Sequence, residues 1–241
     1  MIFDQAEWEI RFEWGAEGIA QLAPISDVLI IVDVLSFSTC VDIVLSNGAI
    51  VFPYDARDDS LQEYARNKGA HAAEMVRTQS GGFSLCPTSL LTIPAGYKLV
   101  LPSPNGAALS LGVHAAKTLT GCLRNCCAVA EAANGWGRTV VVIAAGERWP
   151  GGFLRPCVED LLGAGAILNC LSGSRSPEAA SAVAAFEGLR SEIPAILSSC
   201  SSGKELTERG FESDVALASA YNVSSTVPLL EASAFRPLRP I

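Results

Sequence analysis

The stretch VLIIVDVLSFSTCVDIVLSNGAI, residues 28–50, decides the fold of this chain. Residues 27–34 contain a short, uninterrupted run of mostly β-branched apolar side chains, which is typical of a strand buried on both faces. Ser36 then predicts the N-cap of a helix over Phe37–Ser46, which an Asn-Gly pair ends. A second apolar strand follows at residues 49–53. This strand–helix–strand order is the unit from which parallel sheets are built.

The same alternation continues along most of the chain. Further strands are predicted at residues 7–14, 98–101, 118–123 and 139–144, and further helices at residues 60–68, 125–134, 158–171 and 177–189. Residues 7–14 alternate between apolar and charged side chains, with Arg11 on the charged face, which predicts an edge or antiparallel strand. Ser202 and Glu205 match a capping box before one more helix. We therefore predict a single domain over residues 1–241, a three-layer α/β/α fold with a mixed, largely parallel sheet.

Composition excludes several classes of protein. The chain carries 17 basic and 25 acidic residues, a net charge of −8, and no basic run that could neutralise a nucleic-acid backbone. No apolar run approaches the roughly 20 residues of a membrane span, and the N-terminal segment lacks the apolar core of a signal peptide. The eight cysteines then indicate reduced thiols. We expect a cytoplasmic protein, with a homodimer as the default assembly.

Polar residues follow the first buried strand directly. In open α/β sheets, ligands bind beyond the carboxyl ends of the strands. Asp33 lies at that position, and Ser36, Ser38 and Thr39 lie at the start of the next helix. The carboxylate is suited to a divalent cation or to proton transfer, and the hydroxyls and free N–H groups are suited to a phosphate. The alternative is that these residues only cap the helix.

Two further polar clusters follow later strands. Asn105 and Gly106 form a tight turn after residues 98–101, which either presents N–H groups to a ligand or simply turns the chain. The Gly-rich loop after residues 139–144, with the helix start beyond it, carries Glu147, Arg148, Arg155, Glu159 and Asp160. Such carboxylates suit Mg²⁺ and such arginines suit a phosphate or carboxylate, although acidic residues at a helix start also complement its dipole. His71 and His114 lie outside these clusters and are not expected to act in catalysis.

Taken in order, these segments resemble the 2-phosphosulfolactate phosphatase family. The matching blocks are VDVLSFSTCVDIVLSNGA (32–49), SPNGAAL (103–109), GCLRNCCAVA (121–130), AAGERWPGGFLRPCVEDLLGAGAI (144–167) and SSGKELTERGFESDV (201–215). The resemblance covers essentially the whole chain, beginning at FEWG (12–15). It implies the α/β fold of that family and a Mg²⁺-dependent phosphomonoesterase. The implied substrate is a small phosphorylated organic acid, 2-phosphosulfolactate, which is hydrolysed to sulfolactate and phosphate in coenzyme M biosynthesis.

The resemblance also implies which residues act. The polar motif positions of the family fall on Asp33, Ser38, Thr39, Asn105, Gly106, Asn125, Glu147, Glu159 and Asp160. Among these we predict catalytic roles for Asp33, Asn105 and Glu147 and ligation of Mg²⁺ by Asp33, Glu159 and Asp160. We predict that the substrate is bound by Ser36, Ser38, Thr39, Gly106, Arg124, Asn125, Arg148 and Arg155.

The chain departs from the family pattern at three places. Ser36 stands where an arginine is typical, residues 73–75 read Ala-Glu-Met instead of Gly-Glu-Arg, and residues 82–89 lack a characteristic carboxylate and amide. Arg124, Arg148 and Arg155 are the candidates to replace the absent guanidinium. Two alternatives therefore stay open: a phosphatase of another phosphorylated hydroxy acid, and a non-catalytic anion-binding relative.

Overall fold

The computed structural model describes residues 3–55, 60–79, 81–112 and 117–238; the prediction for His114 lies outside them. The strands are β1 (Ile10–Trp14), β2 (Val28–Val32), β3 (Ile50–Tyr54), β4 (His71–Ala72), β5 (Lys98–Pro102), β6 (Lys117–Gly121), β7 (Val140–Ala144), β8 (Glu147–Arg148), β9 (Leu154–Arg155), β10 (Pro228–Glu231) and β11 (Ala234–Pro237). The α-helices are α1 (Gly15–Leu22), α2 (Phe37–Ser46), α3 (Ser60–Lys68), α4 (Gly106–Leu111), α5 (Cys126–Asn134), α6 (Val158–Cys170), α7 (Pro177–Leu189), α8 (Ile193–Ser199), α9 (Ser201–Glu208) and α10 (Glu212–Ser219). Across these four ranges, none of the helices has the length and apolar character needed to cross a membrane.

A large mixed sheet organises the molecule. Within the described ranges nine strands pair in the order β1-β7-β2-β6-β10-β11-β3-β5-β4. The first four strands of this order are mutually parallel, and so are the last three. The antiparallel hairpin of β10 and β11 joins these two parallel groups. The three-layer α/β/α fold with a mixed, largely parallel sheet is therefore confirmed.

Strand β2 shows why the chain forms layers. Each of its residues is fully buried, because helices cover both faces of the sheet. Val28, Ile30 and Val32 pack with residues of α5, α6 and α7 on one face. Leu29 and Ile31 point to the other face and pack with residues of α1 and α4. Alternate residues of one apolar run thus belong to two separate cores, as the strand geometry requires.

Strand β1 lies at the edge of the sheet, and it pairs with β7 in parallel rather than antiparallel fashion. The expectation that Arg11 is exposed with the other charged residues of this strand is wrong, since only 3% of it is accessible. Its guanidinium donates hydrogen bonds to the carbonyl oxygens of Trp8, at 2.8 Å, and Ile25, at 2.9 Å. The charge is therefore buried with backbone partners, a type of contact that side-chain alternation does not reveal.

The helix boundaries agree with the sequence predictions except near residue 200. Helices α2, α3 and α7 have the predicted bounds. The capping box predicted at Ser202 is wrong, because α9 begins at Ser201, two residues earlier than that cap implies, and Cys200 is its N-cap. The Cys200 thiol accepts the Gly203 N–H at 3.3 Å. A Cβ at Gly203 would clash with the Leu197 carbonyl oxygen, so this close approach of α8 and α9 requires glycine, and Ser202 lies inside the first turn.

Candidate active site

The polar segments that follow β2, β5 and β7 meet at one place. The Gly106 N–H donates to Oδ2 of Asp33 at 2.8 Å, which joins the segments after β2 and β5. The Asn105 amide donates to Oε1 of Glu147 through a short hydrogen bond, which joins the segments after β5 and β7. Although β5 is not a neighbour of β2 in the sheet, the start of α4 packs against β2 and brings the segment after β5 to Asp33. The structure therefore brings Asp33, Asn105 and Glu147 together.

Asp33 is held rigidly by backbone groups. Only 4% of the residue is accessible. Oδ1 accepts the Phe37 N–H at 3.2 Å, while Oδ2 accepts the Gly106 N–H. The Asp33 N–H itself donates to Oγ of Ser38 at 2.9 Å. These bonds fix the direction of the carboxylate before any ligand binds.

Ser38 and Thr39 support the Asp33 loop from behind. Both residues are completely buried. The Ser38 hydroxyl lies 2.7 Å from that of Thr120, and the Thr39 hydroxyl donates to the Val34 carbonyl at 2.8 Å. Neither hydroxyl borders the cavity described below, so the structure places them as supports of the loop, away from the position predicted for phosphate ligands.

Asp160 joins the loops after β2 and β7. Its Oδ1 accepts the Val34 N–H and its Oδ2 accepts the Gly146 N–H, each at 2.8 Å. Glu159 is 3% exposed and contacts the thiol of Cys200. Burial, reinforced by the Glu159 charge, raises the pKa of that thiol to about 11. Both acidic residues therefore lie beneath the site, and both Asp160 oxygens already have backbone donors.

A cavity of about 440 Å³ opens in front of Asp33. It is lined by Asp33, Leu35, Ser36, Met75, Val76, Arg77, Leu85, Ser103, Pro104, Asn105, Glu147, Ser202, Glu205, Leu206 and Arg209. Sequence reasoning missed Arg77 and Arg209, since neither follows a strand; the only signal was that Arg77 comes just after the divergent residues 73–75. A second cavity of about 450 Å³, at the opposite end of β3, contains only Glu231 and Arg236 as charged residues and none of the predicted site. We therefore take the Asp33 cavity as the candidate active site.

Arg124 and Asn125 do not line this cavity. Nε of Arg124 forms a 2.8 Å ion pair with the buried carboxylate of Asp42, and its Nη1 donates to the Leu217 carbonyl at 3.0 Å. Oδ1 of Asn125 accepts the Cys122 N–H at 2.9 Å. These contacts tie the end of β6 to neighbouring helices, and they occupy the groups that were predicted to bind substrate.

Arg148 and Arg155 lie around the Asp33 cavity without lining it. Arg148 borders a smaller adjoining cavity of about 230 Å³, which Asn105 and Glu147 also line, and it donates to the Gly152 carbonyl at 3.0 Å. Arg155 donates to Oγ of Ser202, a residue of the main cavity wall, at 3.2 Å. Among the predicted arginines, Arg155 is therefore the one whose guanidinium contacts a residue of the main cavity wall.

The carboxyl groups of the site repel one another. Burial raises the pKa of Asp33 to about 6, and the charges of Glu147 and Glu159 act in the same direction. Burial, followed by the charges of Asp33 and Glu159, raises the pKa of Asp160 well above its ordinary value. The N–H groups of Gly106 and Phe37 only partly offset these effects at Asp33. A cation placed among these groups would relieve the repulsion.

We expect the Asp33 charge to make metal-free stability depend on pH. The folded pKa, about 6, exceeds the ordinary value of 3.8, so the folded protein binds the proton more tightly than the unfolded chain. The contribution of Asp33 to the free energy of unfolding is therefore largest below pH 4. It decreases as the pH rises to about 6. At about 1.36 kcal/mol per pH unit, the decrease is on the order of 3 kcal/mol. The free energy of unfolding would be measured by urea denaturation in chelator from pH 4 to 7, for the wild type and for Asp33→Asn. The difference between the two proteins should decrease over this range. A difference that does not change with pH would contradict the prediction.

The carboxylates that line the cavity fit a Mg²⁺ ion that is also bound by substrate and water. Within the four described ranges, no three His, Cys, Asp or Glu side chains converge closely enough to hold a metal alone. Mg²⁺ commonly binds one or two carboxylates, several waters and a phosphate group of the substrate. Asp33 and Glu147 both line the cavity and are suited to that role. Asp160 is less suited because it is buried and does not line the cavity.

Comparisons with known proteins identify the family of this chain. The family model described as 2-phosphosulpholactate phosphatase matches residues 17–233, a range that includes every residue lining the cavity. The chain is 31% identical over 210 residues to the 2-phosphosulfolactate phosphatase of Methanothermobacter thermautotrophicus, covering 85% of this chain and 87% of that protein. It is 28% identical over 211 residues to a probable 2-phosphosulfolactate phosphatase of Gloeobacter violaceus, with coverages of 84% and 87%. The chain therefore belongs to the 2-phosphosulpholactate phosphatase family and is a hydrolase of phosphomonoesters.

Proposed function

We propose that the protein is a Mg²⁺-dependent phosphatase that hydrolyses 2-phosphosulfolactate to sulfolactate and phosphate. The names of the family and of the two relatives support this substrate. One observation carries the proposal: the same cavity contains three carboxylates, Asp33, Glu147 and Glu205, and two guanidinium groups, Arg77 and Arg209. A substrate with a phosphoryl group and further acid groups needs both kinds of partner.

Different residues of the cavity have different roles in the proposed reaction. Asp33, fixed by the Gly106 and Phe37 N–H groups, accepts a proton from the water that attacks phosphorus. A bond forms between water oxygen and phosphorus and the ester P–O bond breaks; the leaving oxygen takes up a proton from solvent to give the alcohol, and Asp33 returns its proton to solvent. Asn105 holds Glu147 in place through its amide. Mg²⁺, held by Asp33 and Glu147, would supply positive charge to the phosphoryl group and lower the pKa of the bound water.

We expect phosphate release to require a divalent cation. The purified protein would be incubated with 2-phosphosulfolactate, with other phosphorylated hydroxy acids and with p-nitrophenyl phosphate, each with Mg²⁺ and with excess chelator. Release should be fastest from 2-phosphosulfolactate, should fall to background in chelator, and should return when Mg²⁺ is added in excess. Measurement of inorganic phosphate over time gives the rates.

Each alternative predicts a different outcome of the same assay. Release only from a phosphorylated acid without a sulfonate would replace the proposed substrate by that acid. Absence of phosphate release from every ester, both with Mg²⁺ and with chelator, would favour the non-catalytic anion-binding relative. Release that persists in chelator would contradict the role of Mg²⁺ and leave the phosphatase intact.

The wider setting of the enzyme is proposed on the same basis. Sulfolactate formed in this reaction would serve coenzyme M biosynthesis, the process that the family resemblance implies. We also propose that the enzyme works in the cytoplasm, where small phosphorylated acids are produced, and that it forms a homodimer.

A further inference from the structure

Arg77 is the cavity cation whose position is most firmly determined. Its Nη1 forms a 2.8 Å ion pair with Oδ2 of Asp214, and its Nη2 donates to Oγ of Ser36 at 3.1 Å. The side chain is only 11% accessible, yet the residue lines the cavity that contains Asp33. A guanidinium has five N–H donors in a rigid plane, so two anchored groups fix the direction of the others.

Asp214 is built to hold this arginine. It is completely buried in α10, and its Oδ1 accepts the Thr88 N–H at 2.9 Å, the Thr88 hydroxyl at 2.7 Å and the Cys86 thiol at 3.2 Å. Its Oδ2 faces Nη1 of Arg77. Because the other contacts of the carboxylate do not involve the cavity, Asp214 acts as a positioning residue for Arg77.

Arg209 brings a second positive charge to the same wall. The guanidinium carbons of Arg77 and Arg209 lie 5.5 and 5.8 Å from the centre of the Phe211 ring, so one aromatic side chain supports both cations. Arg209 also pairs with Glu205 at 3.1 Å, but both side chains of that pair are more than half exposed. Solvent screens such a pair, so Arg209 is held less firmly by its partner than Arg77 is by Asp214.

We propose that Arg77, oriented by Asp214 and Ser36 and assisted by Arg209, binds the second acid group of the substrate, the sulfonate or carboxylate that is not transferred. The inference rests on the proposed function and assigns its specificity to named residues. Asp33 and Glu147 lie where the phosphoryl group and its metal would be held, while Arg77 offers planar, charge-assisted hydrogen bonds to a second anion. Esters without a second acid group gain nothing from Arg77.

Binding of the product tests the subsite without any chemistry. Isothermal titration calorimetry would measure the Kd of sulfolactate for the wild type, Arg77→Gln, Arg77→Lys and Arg138→Gln, the last being a surface arginine paired with Glu9. We expect Arg77→Gln to raise Kd about 10- to 100-fold, Arg77→Lys to have an intermediate effect, and Arg138→Gln to bind as the wild type does. Unchanged binding by Arg77→Gln, or no binding by the wild type, would overturn the proposal.

Turnover separates a specific subsite from a structural role. Arg77→Gln should lower kcat/KM for 2-phosphosulfolactate about 10- to 100-fold and leave that for p-nitrophenyl phosphate within about threefold. Guanidinium ion added to Arg77→Ala should partly restore the first rate. Equal losses on both esters would show that Arg77 only holds the fold or the phosphoryl group. If the wild type cleaves neither ester while sulfolactate binding still depends on Arg77, the proposed function fails and the subsite stands.

Discussion

Replacing Asp33 by asparagine is expected to abolish phosphate release, with kcat/KM falling by about 10³-fold or more. Asparagine cannot accept the proton of an attacking water, and it offers a cation one neutral oxygen in place of a charged carboxylate. Its NH₂ group would also face either the Phe37 or the Gly106 N–H, each of which now donates to a carboxylate oxygen. The variant should still fold, at a cost of about 1–3 kcal/mol for the unpaired donor.

Asp27→Asn provides the matched control for this substitution. Asp27 lies just before β2, at the end opposite Asp33, and its Oδ2 accepts the N–H groups of Arg138 and Thr139, each at 2.9 Å. Asparagine can keep both bonds with its amide oxygen, so Asp27→Asn removes a carboxylate charge outside the cavity. Phosphate release and thermal unfolding measured side by side should separate the two variants. If the Asp33→Asn protein keeps a tenth of the wild-type rate, Asp33 does not have the proposed role in the reaction.

Replacing Gly106 by alanine is expected to damage stability and activity together. A Cβ at this position would lie 2.6 Å from Cδ1 of Phe37, 2.8 Å from Oδ2 of Asp33 and 2.9 Å from Cβ of Asp33. Phe37 and Asp33 are both buried and cannot move aside easily, so we expect a loss of about 1–3 kcal/mol in unfolding free energy. Displacement of the carboxylate by a fraction of an ångström should lower kcat about 10²-fold.

Gly112→Ala is the control for this prediction, because Gly112 ends the same helix, α4. A Cβ there would meet its nearest atom, the Leu109 carbonyl oxygen, at an ordinary 3.7 Å. Its backbone φ of −78° suits alanine as well as glycine. Chemical denaturation and the phosphate assay should leave Gly112→Ala close to the wild type. If Gly106→Ala behaves like this control, the close approach of α4 to Asp33 is not required for function.

Patterns within short segments were sufficient for much of the fold. The apolar run of β2 predicted a strand buried on both faces, and the residues of α2, α3 and α7 predicted the observed helix bounds. Ser176 is the N-cap of α7, and its hydroxyl accepts the Ala179 N–H at 3.1 Å. Such signals are local, since the period of burial and the chemistry of a helix end depend on neighbours within one or two turns.

Contacts between distant segments were not predictable in this way. The hairpin of β10 and β11, which joins the two parallel groups of strands, was not predicted. Arg77 reaches the cavity from a loop, and its partner Asp214 is 137 positions away along the chain. Arg124 looked equally suitable by sequence, but it does not line the cavity. Both arginines pair with a buried aspartate, and they differ in whether the guanidinium also borders the cavity after folding.

The sequence by itself determined most of the strands and helices up to α7, the family, and the polar residues that end the buried strands, because these signals depend on neighbouring residues. Only the tertiary structure decided how those strand ends function. It buried Asp160 away from the cavity, left Asp33 and Glu147 beside the cavity, and added Arg77 to them. The physical reason is that a side chain acts according to its burial and its partners, and both are set by segments that meet only when the sheet is assembled.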